Sequence, residues 1–427
     1  MPADVGEGTG DVADGMTSID LPAGAAYNEV MAEPGLYEAA LPEAAPDVVP
    51  DVVAAPRVLP VVDVEQLDWA AVRNSVDPAG VHGRLRDTVE RMEALLDQEP
   101  RRLLFDDYRA DTSDRVIRVR EIDPDTPLWI VGDLHGDLLA LEAALAFIHR
   151  DVSEGNPPRL VFLGDLFDDG GYGLEVLLRV CELIAETPES VCIIAGNHDE
   201  ALRYTGSRFS SSVIPSDFSD FLNAYRGHEW ITRAGILAVR LFAGAPRALF
   251  LPDGLLVTHG GFPIADLHAQ LRTTGDWNDP RCLSDFVWTR AHPRARKKMP
   301  NRASRGSQFG YEDFAAFCAL TAELGRPITR MVRGHDHPDE RFEIYPAYAD
   351  HPVLTTVALS RRLEREPFGP FERVPTIARW VFGALPQVHR LHVPAALVRE
   401  VYADEAGEAE PEVSHTPRQQ RDREADT

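Results

Sequence analysis

The sequence predicts an α/β fold assembled from β-α-β-α-β crossover units, and three observations carry that prediction. Five short runs rich in Val, Ile and Leu, LWIVGD (128–133), RLVFLGD (159–165), VCIIAGN (191–197), LLVTHGG (255–261) and TRMVRGH (329–335), lack polar alternation, as strands buried on both faces do. Amphipathic helices separate the first three: Leu138, Leu141, Leu145 and Ile148 share one face, and so do Leu174, Leu177, Leu178, Cys181 and Ile184. The repeat is regular, since Asp133, Asp165 and Asn197 stand 32 residues apart, the length of a strand-helix-strand unit in a parallel sheet.

From the amino terminus, residues 1–76 hold fourteen acidic side chains against Arg57 and Arg73, which predicts a disordered acidic extension. Residues 77–127 read as a helical lead-in, with Val81, Leu85, Val89 and Met92 in helical register. Residues 128–400 form the expected catalytic domain, and the polar stretch 401–427 a disordered tail.

The 427 residues carry 43 Lys and Arg against 69 Asp and Glu, a net charge of −26, which disfavours nucleic acid as a partner. Four cysteines without a CxxC pair fit a reducing, cytoplasmic setting rather than a disulfide scaffold. No apolar stretch is long enough to cross a membrane, so no membrane partner is expected.

Ligands of open α/β sheets lie beyond the carboxyl ends of the strands. There the five runs deliver Asp133 and His135, then Asp165 and Asp168, then Asn197, His198 and Asp199, then His259, and finally His335 and His337. So many carboxylates and imidazoles side by side are unfavourable unless cations neutralise them, which predicts a dinuclear metal site.

GDLHG, GDLFDDGG, GNHD, HGG and RGH resemble the metallophosphoesterase (calcineurin-like) superfamily, and specifically its PPP-type serine/threonine phosphoprotein phosphatases. VWTRAHP (287–293) and NRASRGSQFGYEDFAAF (301–317) are similar to further family segments. The resemblance covers about residues 128–359 and implies a central β-sandwich flanked by helices. It also implies that Asp133 and His135 bind one metal, that Asp165 bridges, and that Asn197, His259 and His335 bind the second. The oxygen and nitrogen donors suit two divalent or trivalent ions, Mn, Fe or Zn. By the same resemblance His198 protonates the leaving group, Asp168 supports its imidazole, and Arg305 grips phosphate.

Three departures qualify these assignments. Asp169 stands where the family has a phosphate-binding arginine; Arg203 is the nearest substitute, and Asp169 is expected to face away from the phosphate. RGH continues into GHDH, as in cyclic nucleotide phosphodiesterases, which makes His337 an extra candidate ligand. VLTTVALSRRLEREPFGPF replaces the family's SAPNYC segment, so that loop's contacts are not carried over, and residues 205–230 and 290–300 are expected to shape the rim.

The resulting expectation is a PPP-like phosphatase acting on a phosphoprotein. The alternatives are a hydrolase of a small phosphoester, such as a dinucleoside polyphosphate or cyclic nucleotide, and a non-catalytic phosphatase-like binding module. The filled ligand positions argue against the binding module.

Overall fold

The computed structural model describes residues 59–98, 103–151, 157–295, 306–366 and 368–406. They form two six-stranded mixed sheets with helices on both outer faces. In chain order the strands are β1 (Val61–Val64), β2 (Val116–Arg118), β3 (Leu128–Val131), β4 (Arg159–Phe162), β5 (Val191–Ile193), β6 (Ala248–Phe250), β7 (Leu255–Thr258), β8 (Arg330–Arg333), β9 (Phe342–Ile344), β10 (Val353–Thr356), β11 (Thr376–Trp380) and β12 (Gln387–Leu391). The first sheet runs β1-β12-β11-β3-β4-β5 and the second β9-β10-β8-β7-β6-β2.

Strand alternation builds the layers. Leu128 and Ile130 of β3 join Val161, Cys192, Leu249, Leu255, Val257, Val332 and Leu354 in a core between the sheets. Their neighbours Trp129 and Val131 face the opposite way, into a second core shared with the helices Leu85–Leu96, Leu138–Asp151, Gly173–Glu186 and Glu229–Gly244. Across the second sheet, Phe250, Leu256 and Met331 pack on Phe286, Phe314 and Phe317 of the outer helices. Strands covered on both faces need apolar residues at every position, which is why the five runs show no alternation.

The predicted crossover units are present, with β3, β4 and β5 adjacent, parallel and joined by the two expected helices. The helical register expected of Val81, Leu85, Val89 and Met92 is carried by two helices, Pro78–Gly83 and Leu85–Leu96. The lead-in is not purely helical, because Val116–Arg118 pairs with β6.

Two expected boundaries move. Residues 59–76 are not part of a disordered extension: Val61–Val64 adds to β12 as a parallel edge strand, and Asp68 caps the helix Trp69–Ser75. Residues 401–406 are not part of a disordered tail, since Tyr402 is buried and hydrogen-bonds Asp137. Residues 1–58 and 407–427 lie outside the described residues.

Candidate metal centre

Each predicted site residue stands one to six residues beyond a strand, where the carboxyl ends of both sheets meet. The first sheet supplies Asp133, His135, Asp165, Asp168, Asn197 and His198, and the second His259, His335 and His337. Glycine permits the close approach: a Cβ on Gly334 would overlap Asp133 Oδ1, and one on Gly196 would overlap Asp165. His135, Asp165, Asp168, Asp169 and His335 all adopt positive φ, between 38° and 69°, so the strain of the fold is concentrated at these loops.

The donors fall into two sets that share one carboxylate. Asp165 Oδ2 lies 3.6 Å from His135 Nε2 and 3.4 Å from His259 Nε2. On one side, Asp133 Oδ2 is 3.1 Å from His337 Nε2. On the other, His259 Nε2 is 3.1 Å from both Asn197 Oδ1 and His335 Nδ1. The triplets Asp133-His135-His337 and Asp165-His259-His335 each bring three donor atoms within 4.8 Å of one another.

The outer nitrogens fix which ring atom is offered. His135 Nδ1 lies 3.2 Å from the Phe167 carbonyl, His259 Nδ1 3.0 Å from the Leu163 carbonyl, and His337 Nδ1 3.2 Å from Glu366 Oε1. A proton on each Nδ1 satisfies those acceptors and leaves each Nε2 lone pair facing the centre, the arrangement of metal-binding histidines. His259 Nε2 then faces two oxygen acceptors, Asn197 Oδ1 and Asp165 Oδ2. Burial opposes its protonation, yet the charges of Asp165 and Asp133 raise its pKa to about 9, so this nest attracts positive charge. His335 Nε2 is buried without a hydrogen-bond partner among the described residues. Such a donor set fits two hard or borderline cations.

Beside it, His198 Nδ1 lies 2.8 Å from Asp168 Oδ2, whose second oxygen accepts the Phe218 N–H at 2.9 Å. Burial opposes protonation of His198, but Asp165 and Asp168 outweigh it and raise the pKa.

The model of the calcineurin-like phosphoesterase family matches residues 126–339, half of the sequence. The chain belongs to the calcineurin-like phosphoesterase family. Among curated relatives, it is 24% identical over 231 residues to the serine/threonine-protein phosphatase PP2A-like PPG1 of Candida albicans, covering 52% of this chain and 49% of that one. It is 22% identical over 227 residues to the serine/threonine-protein phosphatase 6 catalytic subunit of Caenorhabditis elegans, covering 51% and 61%. The chain thus spans about half the length of the first of these relatives. A protein serine/threonine phosphatase structure from Saccharomyces cerevisiae superposes with a TM-score of 0.50 at 15% identity, covering 76% of this chain and 96% of that one. That likeness places the two-sheet fold with this family of phosphoesterases.

The family comparison sharpens where this centre departs. Asp169 does not face away. Asp217 accepts the Asp169 and Gly170 N–H groups at 2.9 Å each, fixing a turn with φ of 66° that brings the Asp169 carboxylate to 3.2 Å from His135 Nδ1. Arg203 is exposed and donates to the Glu200 and Leu202 carbonyls of its own turn, so the guanidinium at Asp169 comes from elsewhere. It is Arg365, at 3.0 Å. Arg305 and residues 296–304 lie outside the described residues. The 205–230 insertion does more than shape a rim, because its helix Asp217–Ala224 carries both Asp217 and Phe218.

The sequence places Asp199 at the centre but not its part in holding the loops, and does not single out the other residues that do so. Asp199 accepts from the Gly196, Asp165 and Leu166 N–H groups at 2.8, 2.6 and 3.3 Å. Burial and the neighbouring Asp165 charge push its pKa up to about 7. Asp137 caps the following helix through Ala140 and accepts from Ser360 and Tyr402. Arg361 donates to the His135 and Asp169 carbonyls, both at 3.2 Å, and pairs with Glu405 at 2.9 Å. Ser360, Arg361, Arg365 and Glu366 all come from the segment that replaces SAPNYC; its density of charged residues was the available signal.

Proposed function

We propose that the chain is a metal-dependent phosphoester hydrolase acting as a PPP-like serine/threonine protein phosphatase. The observation that supports this most is Asp165 Oδ2, poised between His135 Nε2 and His259 Nε2. In this reading Asp133, His135 and His337 hold one ion, Asn197, His259 and His335 hold the other, and Asp165 is common to both. When bound, the ions supply Lewis-acid polarisation of a phosphoryl group and an acidic water; Mn, Fe and Zn suit the donors.

The chain's own residues bind, orient and move protons. The carbonyls of Phe167 and Leu163 and the Glu366 carboxylate, each at an Nδ1, keep the imidazoles of His135, His259 and His337 in one orientation. His198 donates a proton to the departing alkoxide oxygen as the P–O bond breaks, and Asp168 stabilises its charged form. Water is consumed, and an alcohol and inorganic phosphate are released. Arg305 is the phosphate-binding candidate carried from the family resemblance, and Arg203 is the nearest sequence substitute for the arginine missing at Asp169. The four free, buried cysteines agree with a reducing cytoplasm. Turnover of a phosphoserine peptide by manganese-loaded protein, lost on chelation and restored by metal, tests the reading; full turnover in metal-free protein overturns it.

A second reading, hydrolysis of a small phosphoester such as a cyclic nucleotide or dinucleoside polyphosphate, is favoured by the contact of His337 with Asp133. Side-by-side turnover of a monoester and a diester separates the two.

A further inference from the structure

We infer that Arg365 grips phosphoryl oxygens of the substrate, filling the role for which Asp169 leaves no arginine at its own position. The inference rests on the phosphoester reading above. Four arginines of this face are committed elsewhere. Arg290 bonds the His335 carbonyl and Asp336, Arg333 bonds Asp336 and the backbone, Arg341 pairs with Glu366, and Arg361 ties loop carbonyls to Glu405. The last three are essentially inaccessible to solvent.

Arg365 differs in both respects. Its side chain is 35% exposed, and its contacts are an ion pair with Asp169 Oδ2 at 3.0 Å and an approach to His135 Nε2 at 3.1 Å. Asp169 Oδ2 accepts no hydrogen bond of good geometry, so charge rather than direction holds the guanidinium there. Most of its five N–H donors are left for an incoming oxyanion, and a planar fork can take two phosphate oxygens at once.

Its position is nonetheless fixed, because both flanks are anchored. Arg361 is bonded to the His135 and Asp169 carbonyls. Glu366 bonds Arg341 at 2.7 Å through each oxygen and also reaches His337 Nδ1. Between these anchors the Arg365 guanidinium extends over His135 to Asp169. Asp169 serves as its resting partner, neutralising the guanidinium until substrate arrives.

The test uses the full chain loaded with manganese and compares Arg365→Ala, Arg365→Gln, Arg365→Lys and Arg203→Ala. Inorganic phosphate binding is followed by calorimetry, alongside metal content, melting temperature and KM for a phosphomonoester. Arg365→Ala and Arg365→Gln should weaken phosphate binding at least tenfold and raise KM in step, with metal content unchanged. Arg365→Lys should recover only part of the loss, since an ammonium cannot grip two oxygens in parallel. Unchanged phosphate affinity in the metal-loaded Arg365 variants, or the loss appearing in Arg203→Ala instead, overturns the assignment. Loss of metal or fold in both Arg365→Ala and Arg365→Gln also overturns it, because Arg365 is then scaffold. A metal-loaded wild-type protein that binds no phosphate overturns the phosphoester reading itself.

Discussion

Asp168 Oδ2 and His198 Nδ1 meet at 2.8 Å, with both side chains only 2% exposed. The pair is held from behind by the Phe218 N–H, so the imidazole has one orientation: Nδ1–H donates to Asp168, and Nε2 is left as the atom that gains and gives up the second proton. Asp168→Asn preserves the shape but removes the charge that favours the protonated ring. It should lower kcat about 10²-fold or more while metal content and KM stay near wild type, a split read by steady-state kinetics with metal analysis. Equal losses in metal and rate would show that Asp168 serves the metal centre instead.

Metal removal should cost stability as well as rate. Asp133 and Asp165 are buried carboxylates, and His259 Nε2 faces two oxygen acceptors, Asn197 Oδ1 and Asp165 Oδ2. Without cations, protons and Arg365 must compensate these groups. Chelation should therefore lower the melting temperature by several degrees, reversibly on adding manganese. Asp165→Asn should bind fewer than two ions, lose at least 10²-fold in turnover and show a smaller chelation shift.

Asp199 holds three backbone N–H groups at once, those of Gly196, Asp165 and Leu166. Asp199→Ala strands all three inside the protein and should destabilise it by about 2–4 kcal/mol in denaturant melts. Metal affinity should fall too, because the freed loops carry Asp165 and Asn197.

What the sequence makes legible is what repeats along the chain. The β3, β4 and β5 runs show on their own because strands sealed on both faces are continuously apolar, and their 32-residue spacing exposes the crossover helices. The donor atoms are equally visible, since each follows its strand directly. Residues joined only by the fold are not visible in this way. Nothing local marks Val61–Val64 as the partner of β12, because its burial alternates weakly and its flank is acidic. Arg365 and Tyr402 reach His135 and Asp137 across 230 and 265 positions of sequence. Asp169 misleads for the same reason: a carboxylate where a phosphate is expected looks repulsive until Arg365 is placed on it.

The carboxy-terminal strap gives a prediction that separates a tail from a fold element. Tyr402 donates to Asp137 Oδ1 at 2.8 Å, and Glu405 accepts the Gly171 N–H at 2.8 Å while pairing with Arg361. Tyr402→Phe should cost about 1–2 kcal/mol, because the buried Asp137 loses one donor of several. Truncation after residue 401 should cost more and lower metal affinity, whereas truncation after 406 should leave both unchanged. Equal melting temperatures for the two truncations would show that the strap does not brace the centre.

Away from the centre, Asp285 sets a pH dependence of stability. Its Oδ2 accepts the Ile264 N–H at 3.1 Å, but burial, followed by the nearby charge of Asp266, pushes its pKa up to about 6 from an ordinary 3.8. The unfolded chain therefore gives up this proton more readily than the folded one. The favourable contribution is complete below about pH 3.8 and is lost as pH rises through 6. Asp285→Asn keeps an oxygen for Ile264 and removes the buried charge. The variant should be more stable than wild type by on the order of 2 kcal/mol at pH 8, and the gain should vanish near pH 4. Denaturant melts at the two pH values read the difference directly. A gain of the same size at both would assign it to packing rather than to titration of Asp285.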